Sequence, residues 1–126
     1  MTNTFRLWLG ALCLAAITSV NAQTGTVAFT SISFDADSTN ALAALTLTAT
    51  GSGTVAFATA DGTAIAGADY QTTALTVPFT SASTQTVYIP LLTTASTTGS
   101  RTVNLALSNP TGALQLGSAS NAVLTI

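Results

Sequence analysis

The sequence predicts an all-β domain, an antiparallel sandwich of about seven to eight short strands. Three observations predict it. Apolar and polar residues alternate with period two, most cleanly where Ala43, Leu45, Leu47 and Ala49 interleave with Ala44, Thr46, Thr48 and Thr50. The apolar runs are short, and Gly, Asn, Ser or Pro bounds each of them. No sustained helical period follows the first residues of the chain.

Those first residues have a different character. Thr2 to Arg6 is polar and basic, and Leu7 to Val20 is an apolar run of about fourteen residues, the length of a signal-peptide core and short of the ~20 needed to span a bilayer. Val20-Asn21-Ala22 supplies a small residue before a cut and an apolar one two positions earlier, so cleavage is expected after Ala22. The expected organisation is a cleavable signal peptide over residues 1–22 and one sandwich domain over residues 23–126, with no transmembrane segment in the mature part. Cys13 follows Leu12 rather than a small residue, which argues against a lipoprotein signal, and its loss with the leader leaves no cysteine for a disulfide or thiolate site.

In chain order, Val27 and Phe29 followed by Ile32 and Phe34 predict a first strand whose phase slips near Thr30-Ser31, as at a bulge. The alternating run from Ala43 to Thr50 comes next, then a turn at Gly51-Ser52-Gly53 and a strand carrying Val55 and Phe57. Leu75, Val77 and Phe79, then Val87 and Ile89, then Val103, Leu105 and Leu107, and finally Val123 to Ile126 mark the remaining strands. Pro78 and Pro90 fall inside such runs. Because proline cannot donate to a ladder, those positions are expected at sheet edges or bulges.

Between the strand of Val55 and Phe57 and that of Leu75, Val77 and Phe79 lies Thr59 to Tyr70. Asp61-Gly62 and Gly67 each permit a sharp bend, and Asp69 is placed beside an anchoring aromatic, Tyr70. The loop holds two of the four acidic residues of the 126-residue chain. Its aspartates can serve two ends: accepting hydrogen bonds from backbone N–H groups of their own loop, or offering carboxylate to a cation.

Composition excludes several function classes. The chain has no Lys, His or Glu; after the leader Arg101 is the only base, against Asp35, Asp37, Asp61 and Asp69. One arginine cannot form a basic patch, so nucleic acid is not an expected partner. Without histidine, and without cysteine after the leader, neither a Ser-His-Asp nor a Cys-His arrangement can be assembled. Asp61 and Asp69 share one short loop, and the only tryptophan, Trp8, sits in the leader, so a glycosidase pair with a sugar platform is not expected either. No enzyme is predicted.

The loop also carries a family likeness. Asp61-Gly62-Thr63-Ala64, Ala66-Gly67 and Asp69-Tyr70 resemble the signature loop of Calx-beta domains, immunoglobulin-like β-sandwiches found in sodium–calcium exchangers and many bacterial surface proteins. Leu75-Thr76-Val77-Pro78-Phe79, Thr84 to Leu91, Val103 to Pro110 with its Leu-Ser-x-Pro ending, Leu116-Gly117 and Ala122 to Ile126 resemble the strands that follow it.

In calcium-binding members, the resemblance implies ions held among acids at one end of the sandwich. Asp69 falls on one such acid, and Asp37, or Asp35 beside it, falls near another. The remaining ligand positions depart from the pattern. The paired aspartates fall on Thr93 and Thr94, the following glutamates fall on Thr98 and Arg101, and the sequence stops at Ile126, before the last acids. Calcium takes about six to eight oxygens, so Asp69 and Asp37 imply at best a weak calcium site, and no cofactor is required.

The expected role is therefore a non-catalytic structural or adhesive module with a degraded calcium site, secreted to the exterior, the cell surface or a periplasm. A weakly calcium-binding module and a self-assembling fibre subunit are the alternatives. Partners of this class are a protein or glycan surface, or further copies of the chain. The threonine face of Thr46, Thr48 and Thr50 is one surface that could meet an ordered glycan, and the lack of lysine to guard sheet edges favours self-association.

Overall fold

The computed structural model describes residues 24–37, 39–92 and 99–126. The predicted leader, with Trp8 and Cys13, lies outside them, as do Thr93, Thr94 and Thr98. The described residues form a β-sandwich of nine strands: β1 (Gly25–Phe29), β2 (Ser33–Asp35), β3 (Leu42–Ala49), β4 (Gly53–Asp61), β5 (Ala74–Phe79), β6 (Ser83–Pro90), β7 (Thr102–Ser108), β8 (Leu114–Leu116) and β9 (Asn121–Thr125). One sheet has the order β6-β3-β1-β8 and the other β2-β9-β7-β4-β5.

The alternation read from the sequence is the alternation of burial. Ala43, Leu45, Leu47 and Ala49 of β3 are buried, as are Val55 and Phe57 of β4 and Val103, Leu105 and Leu107 of β7. These inward faces meet in one core, in which Phe29 lies edge-on to Phe34 and Phe57 at centroid distances of 6.0 and 6.2 Å. Each fully buried aliphatic or aromatic side chain stabilises the fold by roughly 1.5–3 kcal/mol relative to exposure. Pro78 and Pro90 lie on β5 and β6, and both strands are sheet edges, as a residue without an N–H requires.

The first apolar run is two strands rather than one strand with a bulge. β1 pairs antiparallel with β3, whereas β2 belongs to the opposite sheet and pairs in parallel with β9. The chain crosses between sheets at Thr30 to Ile32. There the Ser31 hydroxyl donates to Ser33 O and accepts from Ser33 N, satisfying backbone that has left one ladder and not yet joined the next. Ile32, at 68% exposure, is outside the core. The C-terminal run divides the same way, β8 pairing in parallel with β1 and β9 antiparallel with β7. The inward residues of β9 are Ala122 and Leu124, with Val123 on the outer surface. These two crossings make both sheets mixed rather than purely antiparallel.

Threonine closes the ladders where backbone pairing ends. Thr26 N donates to Thr50 Oγ1 (2.8 Å), Thr54 N to Thr111 Oγ1 (3.1 Å) and Thr73 N to Thr59 Oγ1 (3.0 Å). A β-branched side chain suits the pleated surface, and its hydroxyl satisfies an N–H that no neighbouring strand reaches.

Candidate functional site

Pairing brings every charged side chain among the described residues to one end of the sandwich. Asp61 closes β4 opposite Val103, Arg101 precedes β7, and Thr102 lies opposite Thr125, which in turn lies beside Asp35. Asp37 follows two residues after Asp35. The turns at the other end, around Gly51 to Gly53 and Thr111 to Ala113, carry no charge.

The loop leaving β4 is built on β7. Thr63 N donates to Thr102 Oγ1 (3.1 Å), Thr102 N donates to Thr63 Oγ1 (2.8 Å), and Ala64 N donates to Thr102 O (2.9 Å). Gly62 is required here by proximity. A Cβ at this position would lie 2.5 Å from both the carbonyl oxygen and the hydroxyl of Thr102. Gly67 is required for the other reason, having φ of +87° with open space around it. A single turn then joins Ile65 to Asp69: Asp69 N and Ala68 N donate to Ile65 O, and Gly67 N donates to Tyr70 O.

Within this frame each aspartate has a fixed set of partners. Asp69, 2% exposed, is the one buried charged or polar residue among those described. Its Oδ2 accepts from Ile65 N at 2.8 Å and its Oδ1 from Arg101 Nη1 at 2.6 Å. Arg101 is held in place by its own backbone, which exchanges two 2.8 Å hydrogen bonds with Ile126. The Arg101 guanidinium, aided by the Ile65 N–H, holds the Asp69 carboxyl below its ordinary value, against the opposing effect of burial.

Asp61 Oδ1 accepts from Ala66 N at 2.9 Å and from the Tyr70 hydroxyl at 2.7 Å. The Tyr70 ring is buried in the core, and Tyr70 bridges to both Ala66 and Leu91. Burial, followed by the hydrogen bond to Asp61, pushes the Tyr70 phenol up to about 12. The backbone hydrogen bonds from loop N–H groups to Asp61 and Asp69 are thus both present.

Asp37 is occupied by its own turn. Its Oδ1 accepts from Thr39 N at 2.9 Å, which lowers its pKa, and its carbonyl accepts from Asn40 N. Among the described residues, no three or more His, Cys, Asp or Glu side chains converge as a metal-binding group would require. The ion pair of Asp69 with Arg101 and the Tyr70–Asp61 hydrogen bond were not read from the sequence. The signal for the first was the presence of one base among four acids.

The family model described as "Calx-beta domain" matches residues 20–126. Among solved structures, the chain is similar to the apo-form Calx CBD1 domain, with a TM-score of 0.75 and 17% identity over 82% of this chain and 96% of that one. It is similar to the Calx CBD2 domain with a TM-score of 0.75 and 15% identity, covering 85% and 88% of the two chains. A structure described as calcium binding domain CBD12 of CALX1.1 aligns with a TM-score of 0.73 and 18% identity over 79% of this chain and 44% of that one. No curated protein matches. Among the described residues no helix is long and apolar enough to cross a membrane.

Proposed function

The chain belongs to the Calx-beta domain family, and from that premise we propose that it is a non-catalytic structural or adhesive module, secreted to the cell exterior or surface, whose signature loop is closed by an internal cation instead of calcium. One observation carries this reading: the Arg101 guanidinium sits on the Asp69 carboxylate at 2.6 Å.

A related structure is named for calcium binding, so the donor set of this chain must be weighed for that ion. Calcium needs about six to eight oxygens, several of them carboxylate. Here Asp69 has one oxygen on a guanidinium and the other on a backbone N–H, and Asp61 is engaged by Tyr70 and Ala66. Asp37 caps its own turn. A divalent ion at Asp69 would have to displace the arginine and then lie close to its charge. The residues present do not fit calcium, and Asp69 and Asp37 act as structural acceptors.

What remains is a rigid scaffold. The outward residues of β3, β4, β6 and β7 are mostly Thr, Ala, Ser and Asn, with Leu42 and Tyr88 among them and no charged side chain, and an uncharged face costs little to dehydrate against a neighbouring surface. The apolar run from Leu7 to Val20 supports export, and the sequence has no histidine, and no cysteine after that run, from which a Ser-His-Asp or Cys-His arrangement could be built. The test is equilibrium dialysis of chelator-stripped protein against labelled calcium. The expected result is no saturable binding at millimolar calcium; stoichiometric binding lost in Asp69→Asn would overturn the proposal.

A further inference from the structure

Sheet edges differ sharply in how they are guarded. β2 and β8 are three residues each, too short to template another strand. On β5, Thr59 N donates to Thr73 O, so by alternation Ala74, Thr76 and Pro78 turn their backbone groups outward, and Pro78 has no donor to offer. β6 is unguarded. It runs eight residues without a charged side chain, and its proline is the last of them.

The ladder shows which β6 groups are free. Leu91 N donates to Ala41 O, and on the far side of β3, Thr30 N donates to Thr46 O. The pair Thr46–Thr86 is therefore a non-bonded one, and Thr84, Thr86 and Tyr88 point their N–H and C=O groups away from β3. Among the described residues, only Gln71 N reaches the outer edge of β6, bonding the Pro90 carbonyl at 2.9 Å.

We propose that the partner of this edge is β6 of a second copy, paired antiparallel about Thr86 to make one continuous sheet across a two-fold axis. The strand is complementary to itself in this register. Thr86 meets Thr86, Thr84 meets Tyr88, and Gln85 meets Val87 on the other face. The first two kinds of pair bring β-branched residues together or against an aromatic, both favourable across strands. Three bonded pairs supply about six hydrogen bonds.

Charge selects the direction and the partner. β6 runs toward the end that holds Asp35, Asp37, Asp61 and Asp69, of which, among the described residues, only Asp69 is paired with a cation. Antiparallel pairing sends the two acidic ends to opposite extremes of the dimer, whereas parallel pairing would set them side by side. A partner with a charged strand would bury charges against Thr84, Thr86 and Tyr88, which offer no counter-charge. The proposal rests on the reading of the chain as a structural module and names what it binds.

The test is sedimentation velocity on protein expressed from its full reading frame and purified as the host processes it, over about 1 μM to 1 mM, since a homodimer responds to concentration. The expected result is a concentration-dependent dimer. Thr86→Lys, which opposes two like charges at the axis, should weaken it at least about tenfold, while Thr76→Lys on the β5 edge leaves it unchanged. Thr86→Pro should act likewise, because the N–H it removes is not used within the fold. Thr86→Cys gives a positive readout: bonded pairs lie about 5.5 Å apart at Cα, within disulfide reach, so oxidation should join two copies through residue 86. A monomer throughout, or an oligomer indifferent to Thr86→Lys and unlinked by Thr86→Cys, would overturn the dimer. Neither result bears on calcium, and calcium binding by a dimer that depends on Thr86 would refute only the calcium-free loop.

Discussion

Replacing Tyr70 with phenylalanine tests how the signature loop is held closed. The ring is 1% exposed and its hydroxyl donates to Asp61 Oδ1 at 2.7 Å, so Tyr70→Phe deletes one hydrogen bond and leaves the packing intact. A hydrogen bond to a charged acceptor contributes about 1.5–3 kcal/mol, and the exposed Asp61 can recover part of it from water, so the expected loss is about 1.5 kcal/mol. For a domain of about this size that lowers Tm by roughly 6–12 °C. The effect has a pH signature. The folded phenol is raised from 10.0 to about 12, so its stabilisation is complete below pH 10 and is lost as pH rises from 10 to 12. Urea unfolding of both proteins across that window, with tyrosinate absorbance followed in parallel, reads both effects. The advantage of wild type over Tyr70→Phe should fade between those values, and the variant should lack the late-titrating phenol. Equal stability within about 0.5 kcal/mol at neutral pH, with no narrowing of the difference between pH 10 and 12, would refute the claim that this bond closes the loop.

Three further outcomes follow from the same geometry. Because the Asp69 pKa is lowered, its contribution is present above its ordinary value of 3.8 and disappears as pH falls through the depressed folded value. Urea midpoints of wild type and Asp69→Asn should therefore differ near neutrality and draw together as pH falls below 3.8. Gly62→Ala places a methyl 2.5 Å from Thr102 O and should cost about 1–3 kcal/mol by chemical denaturation, through forced displacement of β7 from the loop. Gly67→Ala meets open space but holds φ at +87°, and should cost about 1–2 kcal/mol in the same assay.

Much of this architecture was legible because strands half-buried in a sandwich must alternate. Ala43 to Thr50 shows it most plainly: Thr46 and Thr48, with Ala44, point away from the core that Ala43, Leu45, Leu47 and Ala49 enter. The sheet crossing at Thr30 to Ile32 was not legible, because a strand that changes sheet keeps its local alternation on either side of the break. Only the partners, β3 on one side and β9 on the other, reveal that the run is two strands. The loop itself was readable from Asp61, Gly62, Gly67, Asp69 and Tyr70, since turn chemistry is local. For Gly62, though, the reason proved to be the nearness of Thr102 rather than a bend. The contact that decides the site was not readable. Arg101 lies 32 residues from Asp69 and reaches it only because β7 pairs with β4. The gathering of all the described charges at one end is likewise a product of strand direction, not of sequence neighbourhood.

The central claim is that a guanidinium serves where calcium would otherwise be needed. Its most direct measurement is the melting temperature of wild type and Arg101→Ser, each in chelator and in millimolar calcium. The account predicts the same Tm for wild type in both solutions, and a lower Tm for Arg101→Ser because Asp69 is left buried without its cation. Calcium at about a hundred times its Kd would add about 2.7 kcal/mol, a rise of roughly ten degrees or more. Such a rise in wild type, with no loss on removing Arg101, would contradict the account.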